Sequence, residues 1–384
     1  MKEEKVPAII GGIPTRQEKL YYGHQYIDEK DIAAVVWVLK SDFLTCGPKI
    51  TELEDKLKDI TGAGYAVACS NGTAALHMAV LAAGIGKGDE VITTPITFAA
   101  SANCIRYVGA TPVFADINPE TYNIDPESVR TKITEKTKAV IAVDYTGQAV
   151  ELDKLKDICR EYGLLLIEDG AHSIGTVYRD QNVGSIADIT TFSFHPVKTV
   201  TAGEGGAVLT NSPELYRKIR LFGTHGITRD KEGYPDLQWD GGWYYNQVEL
   251  GYNYRMTDMQ AALLISQLDK LPVFKKRRQE IVKKYNDFFG TIEELTLKKE
   301  IPESDTCPHL YIIRLKRDRL KISRKEFFDA LAAENIICNL HYIPVYYFPD
   351  YEREGYKRGI CPKAEELYED IITLPLYYGM SDKD

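Results

Sequence analysis

The sequence predicts an α/β fold in which a mostly parallel sheet is flanked by helices and followed by a smaller α+β domain. After Gly64, short apolar runs of strand length alternate with helical stretches, which is typical of a parallel sheet. Several runs are apolar at consecutive positions, as strands covered on both faces must be. A long charged helix near residue 270 then leads into a shorter α+β pattern. We therefore predict a large domain over residues 1–270 and a small domain over residues 271–384.

Two helices are predicted before the sheet begins. The first spans residues 28–40, with Asp28 as its N-cap and one apolar face made of Ile32, Val35, Val36 and Leu39. The second follows Pro48, since proline lacks the N–H that the first helical position leaves unbonded.

The strands predicted for the large domain span residues 65–69, 90–94, 111–115, 138–143, 164–168, 189–194 and 207–210. In parallel sheets, ligands bind beyond the carboxyl ends of the strands. The polar residues that follow these strands are therefore the first candidates for chemistry.

The C-terminal part contains further element signals. A capping box of Thr257 and Gln260 opens a predicted helix over residues 261–268, and a charged helix over residues 274–289 bridges the two domains. Beyond it we predict a strand over residues 309–315, a capping box of Ser323 and Glu326, and a strand over residues 336–342.

Composition limits the classes of partner. The chain has 384 residues with 44% hydrophobic and 27% charged residues, the balance of a soluble globular protein. A net charge of −9 disfavours broad nucleic-acid binding, and no apolar run reaches the roughly eighteen residues of a membrane span. Residues 1–5 lack the apolar core of a signal peptide, and seven scattered cysteines form no Cys-x-x-Cys pair. We expect a cytoplasmic protein with reduced thiols and no metal site.

The first candidate cluster is Ser70-Asn71-Gly72-Thr73, at a predicted strand-to-helix turn. A glycine there leaves room for an anion, and the helix N-terminus supplies free N–H groups and a positive dipole. The cluster predicts a phosphate site, and a plain N-cap with a tight turn is the alternative.

The second cluster begins with Asp169, which follows the apolar segment 164–167 and precedes Gly170-Ala171-His172. A carboxylate buried at a strand end must be paired or must take up a proton, and a protonated pyridine nitrogen would satisfy it. The alternatives are a helix N-cap for Asp169 and a satisfied core histidine for His172.

The third cluster runs from Phe192 to Gly206 and contains Lys198 between two predicted strands. A partly desolvated lysine has a lowered pKa and can form a Schiff base with an aldehyde. Ser193, five residues earlier, is short enough to donate its hydroxyl to a phosphate. The alternative is a surface lysine in a flexible loop.

The fourth cluster runs from Gly251 to Asp258 and includes Asn253. By itself it predicts no more than a cap for the helix that follows.

These clusters together resemble the DegT/StrS family of nucleotide-sugar aminotransferases, which use pyridoxal 5′-phosphate (PLP) and have the aspartate-aminotransferase (type I) fold. The resemblance extends from Tyr22-Gly23-His24-Gln25 and Leu44-Thr45-Cys46-Gly47-Pro48 to His341-Tyr342-Ile343-Pro344. The sequence motif Ser-Phe-His-Pro-Val-Lys, followed by Gly-Glu-Gly-Gly, is most similar to the corresponding motif of enzymes that aminate UDP-4-keto-6-deoxy-N-acetylhexosamines. Among these it most resembles the enzymes that make UDP-4-amino-4,6-dideoxy-N-acetyl-β-L-altrosamine for pseudaminic acid.

The resemblance implies a role for each residue that matches the cofactor site. Lys198 would bind PLP covalently and move the proton in catalysis, and Asp169 would keep the pyridine nitrogen protonated. The other residues that the resemblance implies for PLP are Gly72, Thr73 and Ser193 at its phosphate, Phe98 on the ring face and His172 near the phenolic oxygen.

Further residues are implied outside this cofactor set. Asn253 would contact the PLP phosphate of the other subunit, so the resemblance implies a homodimer with shared active sites. Tyr22, His341 and Tyr342 would contact the sugar nucleotide.

The implied reaction is transamination with L-glutamate as the amino donor, and it gives a UDP-4-amino-4,6-dideoxy sugar for a surface glycan. An aminotransferase for another nucleotide keto-sugar and a non-catalytic PLP-binding regulatory protein are the alternatives. A sugar dehydratase of the same fold is disfavoured, since such relatives have histidine at the position of Lys198. An α/β protein without a cofactor would make all the matches a coincidence.

Overall fold

The computed structural model describes residues 6–384 of the chain. Residues 1–5, on which the signal-peptide expectation depends, lie outside the described residues.

The α-helices of the described residues are α1 (Glu29–Leu39), α2 (Pro48–Thr61), α3 (Gly72–Ala82), α4 (Ala100–Tyr107), α5 (Pro126–Lys132), α6 (Leu152–Tyr162), α7 (Pro213–Gly223), α8 (Asp258–Leu268), α9 (Leu271–Phe289), α10 (Arg324–Ala333), α11 (Pro349–Arg353) and α12 (Pro362–Asp370). The strands of the same residues are β1 (Leu20–Tyr21), β2 (Tyr65–Cys69), β3 (Glu90–Thr93), β4 (Thr111–Phe114), β5 (Thr137–Val143), β6 (Leu165–Asp169), β7 (Val177–Tyr178), β8 (Gln181–Asn182), β9 (Ile189–Ser193), β10 (Gly206–Thr210), β11 (Ile227–Thr228), β12 (Asn246–Gln247), β13 (Leu295–Leu297), β14 (Ser304–Asp305), β15 (Tyr311–Leu315), β16 (Ile336–Ile337) and β17 (Ile371–Leu374).

A seven-stranded sheet forms the centre of the molecule, in the order β2-β10-β9-β6-β5-β3-β4. All neighbouring pairs are parallel except those of β10, which is antiparallel to both β2 and β9. Helices cover both faces: Leu53 and Leu155 belong to the buried cluster on one face, and Met78 and Ile219 to the cluster on the other. The predicted mostly parallel sheet is therefore confirmed, and its strand ends differ from the prediction by about one residue.

The C-terminal part contains a separate antiparallel sheet in the order β13-β15-β17, packed with α9 and α10. The predicted α+β character of this part is confirmed. The N-terminal segment also contacts it, because β1 pairs with β16 in parallel. The division of the chain at residue 270 stays a prediction.

The strand predicted over residues 336–342 is wrong beyond Ile337, where β16 ends. Asn339 forms an isolated bridge with Thr373, and the carbonyl of His341 accepts a hydrogen bond from the Tyr145 hydroxyl. These bonds to other elements take the place of a strand ladder. The strand predicted from residue 309 begins at Tyr311, because the His309 N–H donates to the carbonyl of Thr146 outside the sheet.

Helix α1 begins at the predicted N-cap, where the Asp28 carboxylate accepts hydrogen bonds from the N–H groups of Lys30 and Asp31. Its apolar face behaves differently from the usual amphipathic pattern. Ile32 is 49% exposed and Leu39 is 56% exposed, while the adjacent face packs on α8 through the fully buried Asp31. The apolar face of α1 is therefore not covered by this chain.

Among residues 6–384, no helix combines the length and apolar character needed to cross a membrane. All seven cysteines are free thiols, and only Cys46 is exposed.

Candidate active site

A cavity of about 990 Å³ lies at the carboxyl ends of the parallel strands. Val143, Asp169 and Ser193 line it from the ends of β5, β6 and β9, and residues 339–343 line it from the C-terminal part. The cavity contains every predicted site residue except Asn253, namely Tyr22, Gly72, Thr73, Phe98, Asp169, His172, Ser193, Lys198, His341 and Tyr342.

The N-terminus of α3 forms a space suited to an anion. Helix α3 begins at Gly72, and the side chain of its N-cap Asn71 accepts a hydrogen bond from the N–H of Ala74 at 2.8 Å. The first N–H groups of a helix have no partner within it, so Gly72 and Thr73 present theirs to the cavity end. A Cβ atom at Gly72 would lie 2.8 Å from Cβ of Ser193. The Ser193 side chain therefore packs directly against the helix start.

Asp169 is the last residue of β6 and is only 3% exposed. Its Oδ2 accepts a hydrogen bond from the Ser101 hydroxyl at 2.7 Å, and its Oδ1 accepts one from the Ala171 N–H at 3.1 Å. Burial raises the pKa of this carboxyl, while the two hydrogen bonds and the Lys198 ammonium oppose the rise. The helix N-cap alternative is wrong, since the next regular element of the chain is β7.

Lys198 lies in the loop between β9 and β10. The Phe194 N–H donates to the carbonyl of Gly205, and the Ala202 N–H donates to the carbonyl of Phe194, so the loop closes on itself. The lysine side chain is half-buried on the cavity wall, and burial lowers its pKa to about 8 against the opposing effect of Asp169. A large fraction of such an amine is neutral just above neutral pH, which a nucleophile requires. The surface-loop alternative for this lysine is wrong.

Three buried imidazoles line the cavity. His172 Nε2 lies 3.1 Å from the Tyr342 hydroxyl, and its ring centroid is 4.5 Å from that of His309. Burial lowers the pKa of His172 and of His309 well below the usual value, and lowers that of His341 to about 3. All three rings are therefore neutral at pH 7.

Aromatic side chains form the mouth of the cavity. Phe98 precedes α4 and is 63% exposed, with its ring centroid 6.4 Å from that of Tyr342. The Tyr22 ring lies 5.2 Å from the His341 ring.

Asn253 lies outside the cavity of its own chain. Its side chain is exposed, and its backbone forms an isolated bridge with Thr224. The next residue, Tyr254, accepts a hydrogen bond from the Ser70 N–H at 2.7 Å, so the segment lies beside the helix start that Gly72 opens.

Several residues of the cavity were not predicted from the sequence. Ser101 follows Phe98 by one helical turn, and that spacing could have indicated it. No local signal distinguishes His309, which reaches the cavity through packing of distant elements, whereas His77 lies on α3 one helical turn after Thr73.

Two named relatives match nearly the whole chain. A Methanocaldococcus jannaschii protein named MJ1066 is 43% identical over 362 residues, covering 93% of this chain and 92% of its own. The spore coat polysaccharide biosynthesis protein SpsC of Bacillus subtilis is 39% identical over 374 residues, covering 97% and 96%.

Solved structures share the fold over the same extent. The putative sugar aminotransferase Spr1654 of Streptococcus pneumoniae, in its PLP form, has a TM-score of 0.87 and 32% identity, with 95% of each chain covered. Helicobacter pylori PseC, described as an aminotransferase of pseudaminic acid biosynthesis, has a TM-score of 0.88 and 31% identity, with 95% and 96% covered. These structures confirm the predicted aminotransferase fold.

The model of the DegT/DnrJ/EryC1/StrS aminotransferase family matches residues 25–384. The alternative of a cofactor-free α/β protein is therefore wrong. The chain belongs to this family and is a PLP-dependent sugar aminotransferase.

Proposed function

We propose that the protein transfers an amino group from L-glutamate to a UDP-4-keto-6-deoxy-N-acetylhexosamine, giving a UDP-4-amino-4,6-dideoxy sugar for a surface glycan. The observation that carries the reaction type is the pairing of Lys198, whose pKa is lowered to about 8, with the buried carboxylate of Asp169 in one cavity.

The residues of the cavity fit PLP. Asp169 is a buried carboxylate that accepts hydrogen bonds only from neutral groups, so a pyridinium N–H would supply its missing positive partner. The helix start at Gly72 and Thr73, with Ser193 against it, suits a phosphate. Within residues 6–384, His172 Nδ1 has no hydrogen-bond partner, and we propose that it lies near the phenolic oxygen.

When bound, PLP supplies an electron sink for the charge left on the substrate carbon. Lys198 Nζ would hold the cofactor covalently, and as a free amine it would be the general base and acid of the site. In that role Lys198 Nζ would accept the proton from the donor carbon that carries the amino group. With the keto sugar as substrate, Lys198 Nζ would deliver a proton to the sugar carbon that gains nitrogen. Asp169 would accept the hydrogen bond of the pyridine N–H and so keep that nitrogen protonated.

Phe98 stacks on the ring face in this proposal, and Tyr22, His341 and Tyr342 contact the sugar nucleotide. The support for a sugar of this class comes from the names of the relatives. PseC is described for pseudaminic acid, and SpsC for a spore coat polysaccharide. The sequence motif Ser-Phe-His-Pro-Val-Lys, which ends at Lys198, supports the same class of sugar substrate. A cytoplasmic location is part of the proposal.

We further propose a homodimer in which Asn253 reaches the cofactor phosphate of the other subunit. Among the described residues, no arginine lines the cavity and Lys198 is its only lysine. The diphosphate of the sugar nucleotide is doubly negative and L-glutamate has two carboxylates, so a second subunit that brings positive charge to the cavity would favour binding of both. The exposed apolar face of α1 and the exposed ring of Phe98 are surfaces that a second copy would cover.

The reaction is tested by incubating the protein with PLP, L-glutamate and a set of UDP- and TDP-linked 4-keto sugars, with Lys198→Ala as the control. We expect amino-sugar product, detected by mass, from the UDP-4-keto-N-acetylhexosamine and from wild type alone. Product only from another nucleotide sugar would replace the substrate assignment. Bound PLP with no product from any keto sugar would favour a regulatory role.

The shared site is tested by mixing Lys198→Ala with Asn253→Ala under conditions that exchange subunits. A mixed dimer has one site with both residues intact, so activity should return to about a quarter of wild type. If the mixture stays as inactive as its parents, the two residues do not act across the interface.

A further inference from the structure

We infer that Ser101, supported by Thr97, is a positioning residue that keeps Asp169 ionised and fixes the direction of its free lone pairs. The inference rests on the proposed function, in which Asp169 holds the proton of the pyridine nitrogen. Neither hydroxyl would contact the substrate, since both act through the aspartate.

Three side chains form a continuous chain of hydrogen bonds in the wall of the cavity. Thr97 Oγ1 lies 2.7 Å from Ser101 Oγ, and Ser101 Oγ lies 2.7 Å from Asp169 Oδ2. All three side chains are buried: Thr97 is 3% exposed, Ser101 is 1% exposed and Asp169 is 3% exposed. A hydrogen bond lost from this chain would therefore leave a buried polar group without a partner, which costs free energy.

The direction of the chain follows from the charge of Asp169. An ionised carboxylate only accepts, so Ser101 must donate its single hydroxyl proton to Asp169. Thr97 must then donate to Ser101 Oγ. The other acceptor near Ser101, the carbonyl of Phe98, is more distant at 3.3 Å. If Asp169 were protonated, it could itself donate to Ser101, and the direction of donation from Thr97 to Ser101 to Asp169 would no longer be fixed.

The chain selects the ionised form of Asp169 against the effect of burial. Burial alone favours the neutral acid, and Ser101 is the largest opposing influence, ahead of Ala171 and Lys198. Thr97 and Ser101 flank Phe98 at the start of α4. The same turn of the chain therefore presents the Phe98 ring to the cavity and keeps the Asp169 carboxylate ionised.

Selective ¹³C labelling of aspartate carboxyl groups tests the inference in cofactor-free protein, with Asp169→Asn used to assign the signal. We expect Ser101→Ala to raise the proton affinity of Asp169 about tenfold to a hundredfold, the effect of losing a hydrogen bond to a charge. Thr97→Val should act in the same direction and less strongly, and Ser101→Thr should restore the wild-type titration. Thr93→Val is the matched control, because Thr93 is a fully buried hydroxyl that donates to the carbonyl of Ile141 and does not contact Asp169.

A second readout uses PLP labelled with ¹⁵N at the pyridine nitrogen. In wild type the chemical shift should be that of a protonated nitrogen, and in Ser101→Ala it should move toward the unprotonated value. An unchanged titration and an unchanged nitrogen shift in Ser101→Ala would overturn the inference. If that variant does not fold, Thr97→Val decides by the same two measurements.

The two readouts separate failure of the inference from failure of the proposed function. A wild type that binds no PLP contradicts the function, while the carboxyl titration still tests Ser101. A protonated pyridine nitrogen in both wild type and Ser101→Ala leaves the function standing and removes the role of Ser101.

Discussion

Substitution of Gly72 by alanine tests the proposed phosphate site through its geometry. The added Cβ would lie 2.8 Å from Cβ of Ser193 and 3.1 Å from its Oγ. Carbon atoms in contact normally sit about 3.5–4.0 Å apart, so one of the two backbones must move by about 1 Å. Overpacking of this kind costs about 1–3 kcal/mol. The displacement also moves the N–H groups of the helix start, so we expect PLP to bind about tenfold to a hundredfold more weakly, as for the loss of hydrogen bonds to a charged group.

The assay combines titration of cofactor-free protein with PLP and thermal unfolding of the same samples. Gly86→Ala is the matched control, since a Cβ there meets nothing within 4 Å. The double variant Gly72→Ala, Ser193→Gly removes the clash and the hydroxyl together. It should recover stability without recovering PLP affinity. Wild-type PLP affinity in Gly72→Ala, with the expected loss of stability, would refute the assignment of this helix start to the phosphate.

Three further predictions concern charge. The rate at which Lys198 binds PLP covalently should rise as the pH passes about 8 and then level off, because the neutral fraction of the lysine amine increases there. The visible absorbance of bound PLP measures this rate. Asp169→Asn should move the midpoint of the pH dependence to lower pH, because it removes the carboxylate that favours the ammonium. Burial raises the pKa of Glu168 from 4.5 to about 7, so the folded state holds this proton more tightly than the unfolded chain does. The free energy of unfolding should therefore fall as the pH rises through that window. The buried Asp144 beside Glu168 also has a raised pKa, so Glu168→Gln should reduce the fall, and a denaturant titration in which the variant keeps the wild-type pH dependence would contradict it. Lys270→Met removes the ammonium that lies 2.6 Å from the carboxylate of the fully buried Asp31, so we expect the free energy of unfolding to fall by about 3 kcal/mol in the same denaturant titration. An unchanged midpoint would show that the hydrogen bond from Gln267 is enough to stabilise the Asp31 carboxylate.

The sheet could be predicted from the sequence because strands that are buried on both faces have apolar residues at consecutive positions. Val140 and Ile141 face opposite sides of the sheet and are both fully buried, so the apolar residues are consecutive. The position of Asp169 follows from the same pattern, since a carboxylate after such a run must lie at the strand end. Helix α8 could be predicted from the capping box of Thr257 and Gln260, which is present in the structure.

Features that depend on distant contacts could not be predicted in this way. Ser101 and Asp169 are separated by 68 positions, and their hydrogen bond follows only from the packing of α4 beside β6. The strand predicted over residues 336–342 ends early because its backbone bonds to Tyr145 and Thr373, which no local pattern reveals. The apolar stripe of α1 indicated a covered face, but it could not indicate that this chain leaves the face uncovered.

The central claim is that Lys198 binds PLP covalently and releases it to an amino donor. The most direct measurement is the visible absorbance of the protein with PLP before and after L-glutamate, in wild type and in Lys198→Ala. We expect an absorbance band of lysine-bound PLP that glutamate bleaches in wild type and that Lys198→Ala never forms. A wild-type band that no amino acid alters, or a band that persists without Lys198, would contradict it.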